Sequence, residues 1–320
     1  MLAKAKGLEV FVSDMGEIKE PYKAKLATAA IPYEEGTHTF ERILEANQII
    51  KSPGIPDKAP VVQEAIKREI PVISEIEFAG RYTDAKFICI TGTNGKTTTT
   101  LLTYHLLQHA GLNVGLAGNI GESLAEKVIE NKHDYYVLEL SSFQLDNMYQ
   151  FKAHIAVLMN ITPDHLDRYG YSMEKYAASK LRIAQNMAGS DFFVFNADDE
   201  NIAKAFHSEA FGGTTVPFTL KGAEGAKVSF EEQNIKVDVE FYKGTVSTAK
   251  SSLIGKHNQY NTMAAVAVAK LMEVPDQVIE EALETFQNAE HRLQQVAVAK
   301  EVTYINDSKA TNVEAVWYAL

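Results

Sequence analysis

The chain has 320 residues, of which 46% are hydrophobic and 23% are charged, which is the composition of an ordinary globular protein. This composition excludes collagen, coiled-coil rods and intrinsically disordered chains, and the length predicts about two domains. The formal net charge is −11, from 31 basic and 42 acidic residues, which argues against sequence-independent nucleic-acid binding but is compatible with a local anion site.

The only cysteine of the sequence, Cys89, excludes an intrachain disulfide, as expected for a protein of the reducing cytosol. It lies in the apolar run 87–90, so we predict a buried and unreactive thiol. No segment approaches the roughly 18–20 apolar residues of a membrane span, and the first residues lack the apolar region of a signal peptide. The sequence therefore predicts a cytoplasmic protein that does not insert into a membrane.

The first part of the chain, residues 1–85, alternates between helical and extended patterns in the manner of a Rossmann-like α/β domain. It begins with a short helix end before Gly7 and a strand that ends at Asp14. The later predicted elements are a helix over 40–46, a strand over 48–51, a loop over 52–56, a helix over 61–68 and a strand over 71–73. A helix end that leads into a strand is expected when such a domain lacks its first strand and loop.

A second unit, residues 86–288, begins with the continuous apolar strand 87–91, which is typical of a buried parallel strand. A Gly-rich loop and a long helix over 97–111 follow. Further strands are predicted over 113–116, 135–140, 155–160 and 192–195, with helices between them and over 258–273 and 276–286. This order predicts a doubly wound, mostly parallel sheet. Period-two patterning within 226–249 predicts a small antiparallel addition.

The remaining residues, 289–320, contain a predicted strand over 302–305 and then an apolar helix face formed by Val313, Val316, Trp317 and Leu320. This face either packs on the preceding domain or belongs to the beginning of a third α/β domain. We favour the second interpretation, because a single βα unit buries little apolar surface.

The strongest motif is the segment 91–98, Thr-Gly-Thr-Asn-Gly-Lys-Thr-Thr, which lies between a buried strand and a long helix, as in a P-loop. Its backbone N–H groups and the helix N-terminus favour phosphate, Lys96 can reach the β- and γ-phosphates, and the Thr97 hydroxyl can bind Mg²⁺. The first glycine of a standard P-loop is replaced by Ile90, so the loop is a variant. The alternative, a Gly-rich turn without a ligand, is less compatible with this strand–loop–helix context.

Three further side chains are candidates for the same carboxyl edge of the sheet. Glu139 ends a buried strand, where a charge needs a partner, so we predict a metal ligand rather than a solvated carboxylate. His165 follows the next strand, which alone is a weak signal. Lys180, in a predicted helix over 175–185, is by default a solvated charge, and near a metal it would repel the cation unless chemically changed.

Seven short motifs follow one another along the chain, in the order Gly92–Thr98, Asn119–Gly121, Glu139–Phe143, Asn160–Asp167, His257–Asn258, His291–Arg292 and Asn306–Asn312. Together these motifs resemble those of the Mur ligases, the ATP-dependent amide-forming enzymes of bacterial peptidoglycan synthesis. The resemblance extends over nearly the whole chain, and the runs 52–55, 139–145 and 307–312 are most similar to the members that add D-glutamate.

The resemblance implies three domains: a Rossmann-like domain for a UDP-sugar (residues 1–85), a central ATPase (86–288) and the beginning of an amino-acid-binding domain (289–320). It implies that Thr97, Glu139, His165 and Lys180 bind magnesium, in all two ions, with Lys180 carbamylated by CO₂, and that Lys96, His165 and Lys180 are catalytic. The residues implied to contact ATP are Gly92, Thr93, Asn94, Gly95, Lys96, Thr97, Thr98, Asn258, Asn261, Arg292, Asp307 and Lys309. Those implied to contact the sugar nucleotide are Asp14, Ser52, Pro53, Gly54, Asn119 and Ser141.

The implied substrates are UDP-N-acetylmuramoyl-L-alanine and D-glutamate, joined through an acyl phosphate by a monomeric enzyme without nucleic-acid partners. The family's N-terminal Gly-rich loop and most of its third domain are absent from this sequence, so we expect this chain alone to be inactive as a ligase. Three alternatives remain: a folylpolyglutamate synthase-like enzyme, another Mur ligase, or a nucleotide-binding module without catalysis. A P-loop kinase or GTPase is weaker, because Ile90 breaks the standard loop and no guanine motif is found.

Overall fold

A computed structural model describes residues 1–206, 212–290, 294–300, 302–310 and 316 of the chain. The described helices are α1 (Leu2–Ala5), α2 (Glu20–Thr28), α3 (Phe40–Ile43), α4 (Pro60–Lys67), α5 (Glu75–Gly80), α6 (Lys96–His109), α7 (Leu124–Glu130), α8 (Ser142–Leu145), α9 (Met173–Leu181), α10 (Glu200–Ala205), α11 (Lys256–Leu271) and α12 (Asp276–Thr285). Two 3₁₀ turns span Leu166–Tyr169 and Arg182–Ala184.

The strands follow the same α/β alternation through most of the chain. They are β1 (Val12–Asp14), β2 (Tyr33–Glu35), β3 (Ile49–Ile50), β4 (Val72–Ile73), β5 (Lys86–Thr91), β6 (Val114–Gly118), β7 (Tyr135–Glu139), β8 (Ile155–Leu158), β9 (Phe192–Asn196), β10 (Thr214–Thr219), β11 (Val228–Glu231), β12 (Asn234–Val239), β13 (Tyr242–Ser247), β14 (Gln294–Ala299) and β15 (Val302–Asn306).

A nine-stranded sheet dominates the described part of the chain, in the order β13-β12-β11-β10-β9-β8-β5-β7-β6. From β6 to β11 all neighbouring strands are parallel, and β12 and β13 then add antiparallel pairs. The parallel part brings the carboxyl ends of β5, β7 and β8 side by side, which is where an open α/β sheet binds ligands. The prediction of a mostly parallel sheet with an antiparallel addition is confirmed.

Side chains that alternate along β5 point to two separate cores, as the period of two in a strand requires. Ile88 and Ile90 join the core under α6 and α11, whereas Phe87 and Cys89 join the core under α5, α7 and α9. Burial of a large aliphatic side chain contributes about 1.5–3 kcal/mol, so both faces of the sheet stabilise the position of the loop after β5. Cys89 is fully buried, as predicted, and burial raises the pKa of its thiol.

The N-terminal residues form two separate two-stranded parallel sheets, β1 with β2 and β3 with β4, each with its own small core. The predicted helices over 40–46 and 61–68 are present as α3 and α4, and α3 is shorter than predicted. The strand predicted to end at Asp14 is only three residues long. Helix α2, which is Lys-rich with its proline in the first turn, was missed because its apolar residues show no helical period.

The last described residues form an antiparallel hairpin of β14 and β15. Its described apolar side chains Val296, Val298, Tyr304 and Ile305 are each more than half exposed. Most of the predicted apolar helix face, at residues 313, 317 and 320, lies outside the described residues. Within the described part of the chain, no helix combines the length and apolar character needed to span a bilayer.

Candidate active site at the carboxyl edge of the large sheet

The phosphate-binding motif forms a loop between the buried strand β5 and the long helix α6, as the sequence predicts. Gly95, the residue before α6, has φ +81°, in the left-handed region. A Cβ at Gly95 would collide with Oδ1 of Asn261, and a Cβ at Gly92 would lie 2.8 Å from the Cβ of Met159. Both glycines are therefore required by close approach of neighbouring elements.

The side chain of Asn160, just after β8, holds the phosphate-binding loop in shape. Its Oδ1 accepts hydrogen bonds from the backbone N–H groups of Thr93 (3.1 Å) and Asn94 (2.8 Å), and its Nδ2 donates to the carbonyl of Asn94 (2.9 Å). One amide side chain thus fixes two successive peptide units of the loop, a role that the sequence analysis did not assign to Asn160. The signal in the sequence that could have indicated this role is an Asn placed directly after a buried strand of the sheet that carries the Gly-rich loop.

Thr93 connects the loop to the segment that follows β8. Its hydroxyl donates to the carbonyl of Thr162 (3.1 Å), accepts from the N–H of Thr162 (3.0 Å) and lies 3.2 Å from the hydroxyl of Tyr176. Burial raises the pKa of Tyr176 to about 12, so this phenol is protonated at neutral pH. Thr93 therefore packs against the protein, and its side chain orients the loop.

Two lysine ammonium groups lie over the phosphate-binding loop. Lys96 Nζ donates to the carbonyl of Thr93 (2.8 Å), and Lys180 Nζ donates to the carbonyl of Gly92 (2.8 Å). Lys180 is 2% exposed and its Nζ lies 4.7 Å from the centre of the Tyr176 ring. Burial, assisted by the nearby charge of Lys96, lowers the pKa of Lys180 well below its ordinary value. The default interpretation of Lys180 as a solvated helix charge is wrong.

Glu139 ends β7 next to the loop and is 1% exposed. Its Oε1 accepts a hydrogen bond from Nδ2 of Asn119 (2.7 Å), while its Oε2 is buried and has no hydrogen-bond partner among the described residues. A buried carboxylate oxygen without a partner is costly unless a cation or donor approaches it. This oxygen fits the predicted role of Glu139 as a magnesium ligand.

His165 occupies a different environment from Glu139. Its imidazole is 56% exposed, Nε2 lies 3.6 Å from Oδ2 of Asp164, and its ring centre is 5.3 Å from that of Phe143. Among the residues that the structure describes, no three His, Cys, Asp or Glu side chains converge as a metal cluster. The geometry therefore favours Glu139 more strongly than His165 as a cation ligand. The predicted set of magnesium ligands also includes Thr97, which is half-buried in the first turn of α6.

The predicted nucleotide residues on α11 pack directly against α6. Asn261 Oδ1 accepts from the hydroxyl of Thr99 (3.2 Å), and Asn261 Nδ2 donates to Oδ1 of Asn258 (3.0 Å). Thr98, a predicted phosphate contact, donates to Oδ1 of Asn288 (3.2 Å). The helix pair thus forms one wall beside the loop.

The predicted nucleotide contacts near the end of the chain lie in different environments. Burial lowers the pKa of His257, and the negative charge of the nearby Asp307 offsets part of this effect. Lys309 is exposed. Arg292 lies outside the described residues.

The predicted sugar-nucleotide residues lie at strand ends and in turns. Asp14 ends β1 and accepts a hydrogen bond from the N–H of Gly16 (2.8 Å). Ser141 is the N-cap of α8, where its side chain and that of Gln144 form a capping box. Asn119 follows β6, and its amide joins this side of the site to Glu139.

Residues Ser52, Pro53 and Gly54 form a loop after β3, and this segment is called the 52–54 loop below. Arg168 contacts this loop from the central part of the chain: its Nη1 donates to the carbonyl of Gly54 (3.2 Å) and its Nη2 to the carbonyl of Pro53 (3.3 Å). The sequence analysis did not single out Arg168. Its position three residues after His165 was the hint that the sequence offered.

Comparison with known proteins agrees with this arrangement of fold and site. The sequence matches the Mur ligase middle domain over residues 90–269 and the MurD N-terminal domain over residues 1–61. The chain belongs to the Mur ligase family. Within that family it is similar to UDP-N-acetylmuramoylalanine–D-glutamate ligase of Bacteroides fragilis, with 52% identity over 320 residues that cover 100% of this chain and 72% of the relative.

Other similar proteins include UDP-N-acetylmuramoylalanine–D-glutamate ligase of Porphyromonas gingivalis, with 52% identity over 322 residues, 100% of this chain and 72% of the relative. Among solved structures, UDP-N-acetylmuramate:L-alanyl-gamma-D-glutamyl-meso-diaminopimelate ligase from Neisseria meningitides has a TM-score of 0.63 at 21% identity, and the match covers 90% of this chain and 93% of that one. A pseudomurein peptide ligase type C from Methanothermus fervidus has a TM-score of 0.58 at 22% identity, covering 100% and 73%. These structures support the fold.

Proposed function

We propose that this chain acts in the ATP-dependent joining of D-glutamate to UDP-N-acetylmuramoyl-L-alanine. The observation that carries the proposal is the 52% identity, over the entire chain, to relatives named for that reaction. The local geometry is consistent with it, because a phosphate-binding loop, a buried carboxylate and a buried lysine share one edge of the sheet. We also propose the boundaries 1–85, 86–288 and 289–320 for the sugar-nucleotide, ATP-binding and amino-acid-binding units.

The reaction needs activation, because a carboxylate does not react with an amine to give an amide at a useful rate. The substrate carboxylate attacks the γ-phosphorus of ATP, an O–P bond forms, and the bond to the β–γ bridging oxygen breaks to release ADP. The amine of D-glutamate then attacks the acyl carbon, loses a proton, and phosphate leaves. Catalysis of the first step depends mainly on positioning and on neutralising charge.

Lys96 is the residue that we propose to act on the phosphates. Its Nζ now donates to the carbonyl of Thr93 at 2.8 Å, within the same loop. A rotation of its flexible side chain exchanges that neutral acceptor for phosphate oxygens, which form stronger charge-assisted hydrogen bonds. The beginning of α6 adds a partial positive charge at the same place.

Magnesium would be held by Thr97, Glu139, His165 and carbamylated Lys180, and when bound it neutralises charge on the transferring phosphate. The buried Oε2 of Glu139, which lacks a partner among the described residues, supports this assignment most directly. His165, now paired with Asp164, needs a side-chain rotation to take part. The chain's own residues supply the remaining requirement, which is a loop already shaped by Asn160 and Thr93.

The environment of Lys180 supports our proposal that this residue is carbamylated. Burial and the charge of Lys96 lower the pKa of Lys180 well below its ordinary value, which favours loss of the proton that CO₂ must replace. The ammonium first loses one proton, and the resulting amine attacks CO₂. An N–C bond forms, one C=O π bond of CO₂ opens, and a second proton is released, so that a cation becomes an anion overall. This change removes the repulsion between Lys180 and Lys96 and gives the buried site a ligand suited to a hard cation.

The test uses calorimetry and phosphate release with this 320-residue chain. We expect binding of ATP and of UDP-N-acetylmuramoyl-L-alanine, with UDP-N-acetylmuramate, which lacks the alanine, binding more weakly. Phosphate release that depends on D-glutamate, and not on L-glutamate, supports the ligase. Binding of both ligands without such release is the outcome expected if this chain alone is inactive as a ligase, and failure to bind either ligand contradicts the proposal.

A further inference from the structure

Arg168 joins the two parts of the site through three contacts. Its guanidinium donates to the carbonyls of Pro53 (3.3 Å) and Gly54 (3.2 Å), and its Cζ lies 4.4 Å from the centre of the Phe143 ring. Arg168 belongs to the 3₁₀ turn Leu166–Tyr169, and its backbone N–H donates to the carbonyl of His165 (3.0 Å). A single side chain therefore connects the turn after β8 to the 52–54 loop.

The 52–54 loop is held from its other end by the N-terminal unit itself. Lys51, which is 4% exposed, donates from Nζ to the carbonyl of Ile55 (2.7 Å) and pairs with Oδ1 of Asp57 (3.1 Å). These contacts fix the base of the loop, but they do not fix its tip relative to the central sheet. Arg168 supplies that second attachment.

The chemistry of the contact suits arginine better than any other side chain. The planar guanidinium presents several donors in a fixed fork, so it can bind two successive carbonyls while its face stacks on an aromatic ring. Ordering so long a side chain on the surface costs rotamer entropy, and a charge with no role is normally left in solvent. Phe143 in turn lies against His165, with ring centres 5.3 Å apart.

We propose that Arg168 is a positioning residue for the sugar-nucleotide substrate. It holds the 52–54 loop at a fixed position relative to the turn that follows His165. The loop at the uridine end of the substrate and the residues at its reacting end are therefore held at a fixed separation. The inference rests on the proposed function, in which the 52–54 loop contacts the nucleotide end of UDP-N-acetylmuramoyl-L-alanine. It assigns no contact between Arg168 and the substrate.

The test is Arg168→Gln in this chain, with UDP-N-acetylmuramoyl-L-alanine and ATP titrated separately by calorimetry. Two hydrogen bonds from a charged donor are lost, so we expect the dissociation constant for the sugar nucleotide to rise about ten- to a hundredfold. The dissociation constant for ATP is expected to stay within about twofold, because the phosphate-binding loop makes none of these contacts. An unchanged affinity for the sugar nucleotide overturns the inference.

Arg182→Gln is the matched control. Arg182 also donates to backbone carbonyls, those of Leu145 and Met148, and lies over an aromatic ring, that of Tyr149, but all these contacts are within the central part of the chain. We expect it to lower the unfolding temperature without changing sugar-nucleotide affinity. If Arg182→Gln weakens sugar-nucleotide binding as much as Arg168→Gln does, general destabilisation accounts for the effect and the inference fails.

Two further variants keep the inference testable if Arg168→Gln folds poorly. Arg168→Lys retains the cation and one set of donors, so we expect partial recovery of the affinity. Phe143→Leu removes the ring under the guanidinium, and its effect is expected to be non-additive with that of Arg168→Gln. Additive effects, or no recovery with lysine, contradict the inference, whereas absence of sugar-nucleotide binding by the unchanged chain instead contradicts the proposed function.

Discussion

The phosphate-binding loop and the 52–54 loop are built in opposite ways. The first is held by side chains from other segments of the chain, including the amide of Asn160 and the buried Asn261, which closely approaches Gly95. The second is exposed at Ser52 and Gly54 and is held through Lys51 at its base and Arg168 at its tip. One loop is rigid because the sheet and helices require it, and the other depends on a long-range contact.

This difference has a functional consequence. Phosphoryl transfer needs donors in fixed positions before ATP arrives, because their reorganisation during the reaction would add to the barrier. The 52–54 loop, in contrast, is attached to the central part of the chain through the side chain of Arg168. The following changes test the rigid loop first and then the junction between the two regions.

Lys96→Ala is expected to have the largest effect. It removes the only cation that the phosphate-binding motif itself contributes, so we expect ATP affinity to fall more than about a hundredfold and ATP turnover to be lost. Calorimetry with MgATP and a phosphate-release assay measure both. Lys175→Ala, at an exposed lysine of α9, is the control and should leave both unchanged. Retained ATP turnover in Lys96→Ala contradicts the assignment of the phosphate loop.

Lys180→Ala tests the lysine of α9 whose ammonium group contacts the phosphate-binding loop. We expect a carbamate signal, seen by ¹³C NMR after addition of ¹³C-bicarbonate to the unchanged chain, to disappear in this variant. In a chain with ligase activity, most activity is expected to be lost and partly restored by a small carboxylic acid, which replaces the missing anion.

Lys180→Met, which keeps most of the side-chain volume, separates the lost charge from a packing defect at this buried position. The same loss of the carbamate signal is expected, with a smaller loss of stability. Full activity without Lys180, or a carbamate signal that persists in both variants, contradicts the carbamate assignment.

The two regions also differ in how far the sequence alone could predict them. The phosphate-binding loop was predicted because strand, glycines, Lys96 and helix are contiguous, and local patterns are what a sequence displays. The special role of Glu139 was predicted for a similar reason, since a carboxylate within an apolar strand is costly to bury unless it has a partner.

What could not be predicted depends on the packing of distant segments. Arg168 and Pro53 are 115 positions apart, and no local pattern indicates that they meet. Lys180 looks like an ordinary helix charge until α9 is packed beside the phosphate-binding loop, where its Nζ reaches the carbonyl of Gly92. His165 lies on the predicted edge, but its side-chain direction is set by a left-handed backbone conformation, with φ 49°. The resemblance to a family supplied expected roles for Lys180 and His165 that periodicity could not, and it supplied none for Arg168.

Asn160→Ala sharpens the comparison at the rigid loop. It removes the acceptor of two backbone N–H groups, so the loop at Thr93 and Asn94 gains freedom that ATP binding must remove. We expect ATP affinity to fall about tenfold, with the affinity for the sugar nucleotide unchanged. Calorimetry measures both, and Asn186→Ala, at a residue that contacts the carbonyls of Tyr149 and Phe151, is the control. A loop that binds ATP equally well without Asn160 is not shaped by it.

The last prediction concerns Glu77, which joins the first 85 residues to the central part of the chain, and here we expect a change in stability and not in ligand affinity. This carboxylate of α5 is 1% exposed, accepts hydrogen bonds from the N–H groups of Tyr149 (3.0 Å), Gln150 (3.1 Å) and Phe151 (2.8 Å), and pairs with Arg81 (3.0 Å). Burial alone raises the pKa of Glu77, but these hydrogen bonds more than offset it, and the pKa lies below its ordinary value.

Because the folded-state pKa of Glu77 is lowered, its contribution is present above the unfolded value of 4.5 and is lost as pH falls through the folded value. Glu77→Gln should therefore lower the free energy of unfolding by about 1–3 kcal/mol at pH 7. The difference from the unchanged chain should shrink below pH 4.5, as denaturant titrations across pH can measure. Glu284→Gln, at an exposed position, should show no such dependence. A penalty that is equal at pH 7 and pH 3 would mean that Glu77 acts through its shape and not through its charge, and that its contact between the first 85 residues and the central part of the chain is not electrostatic.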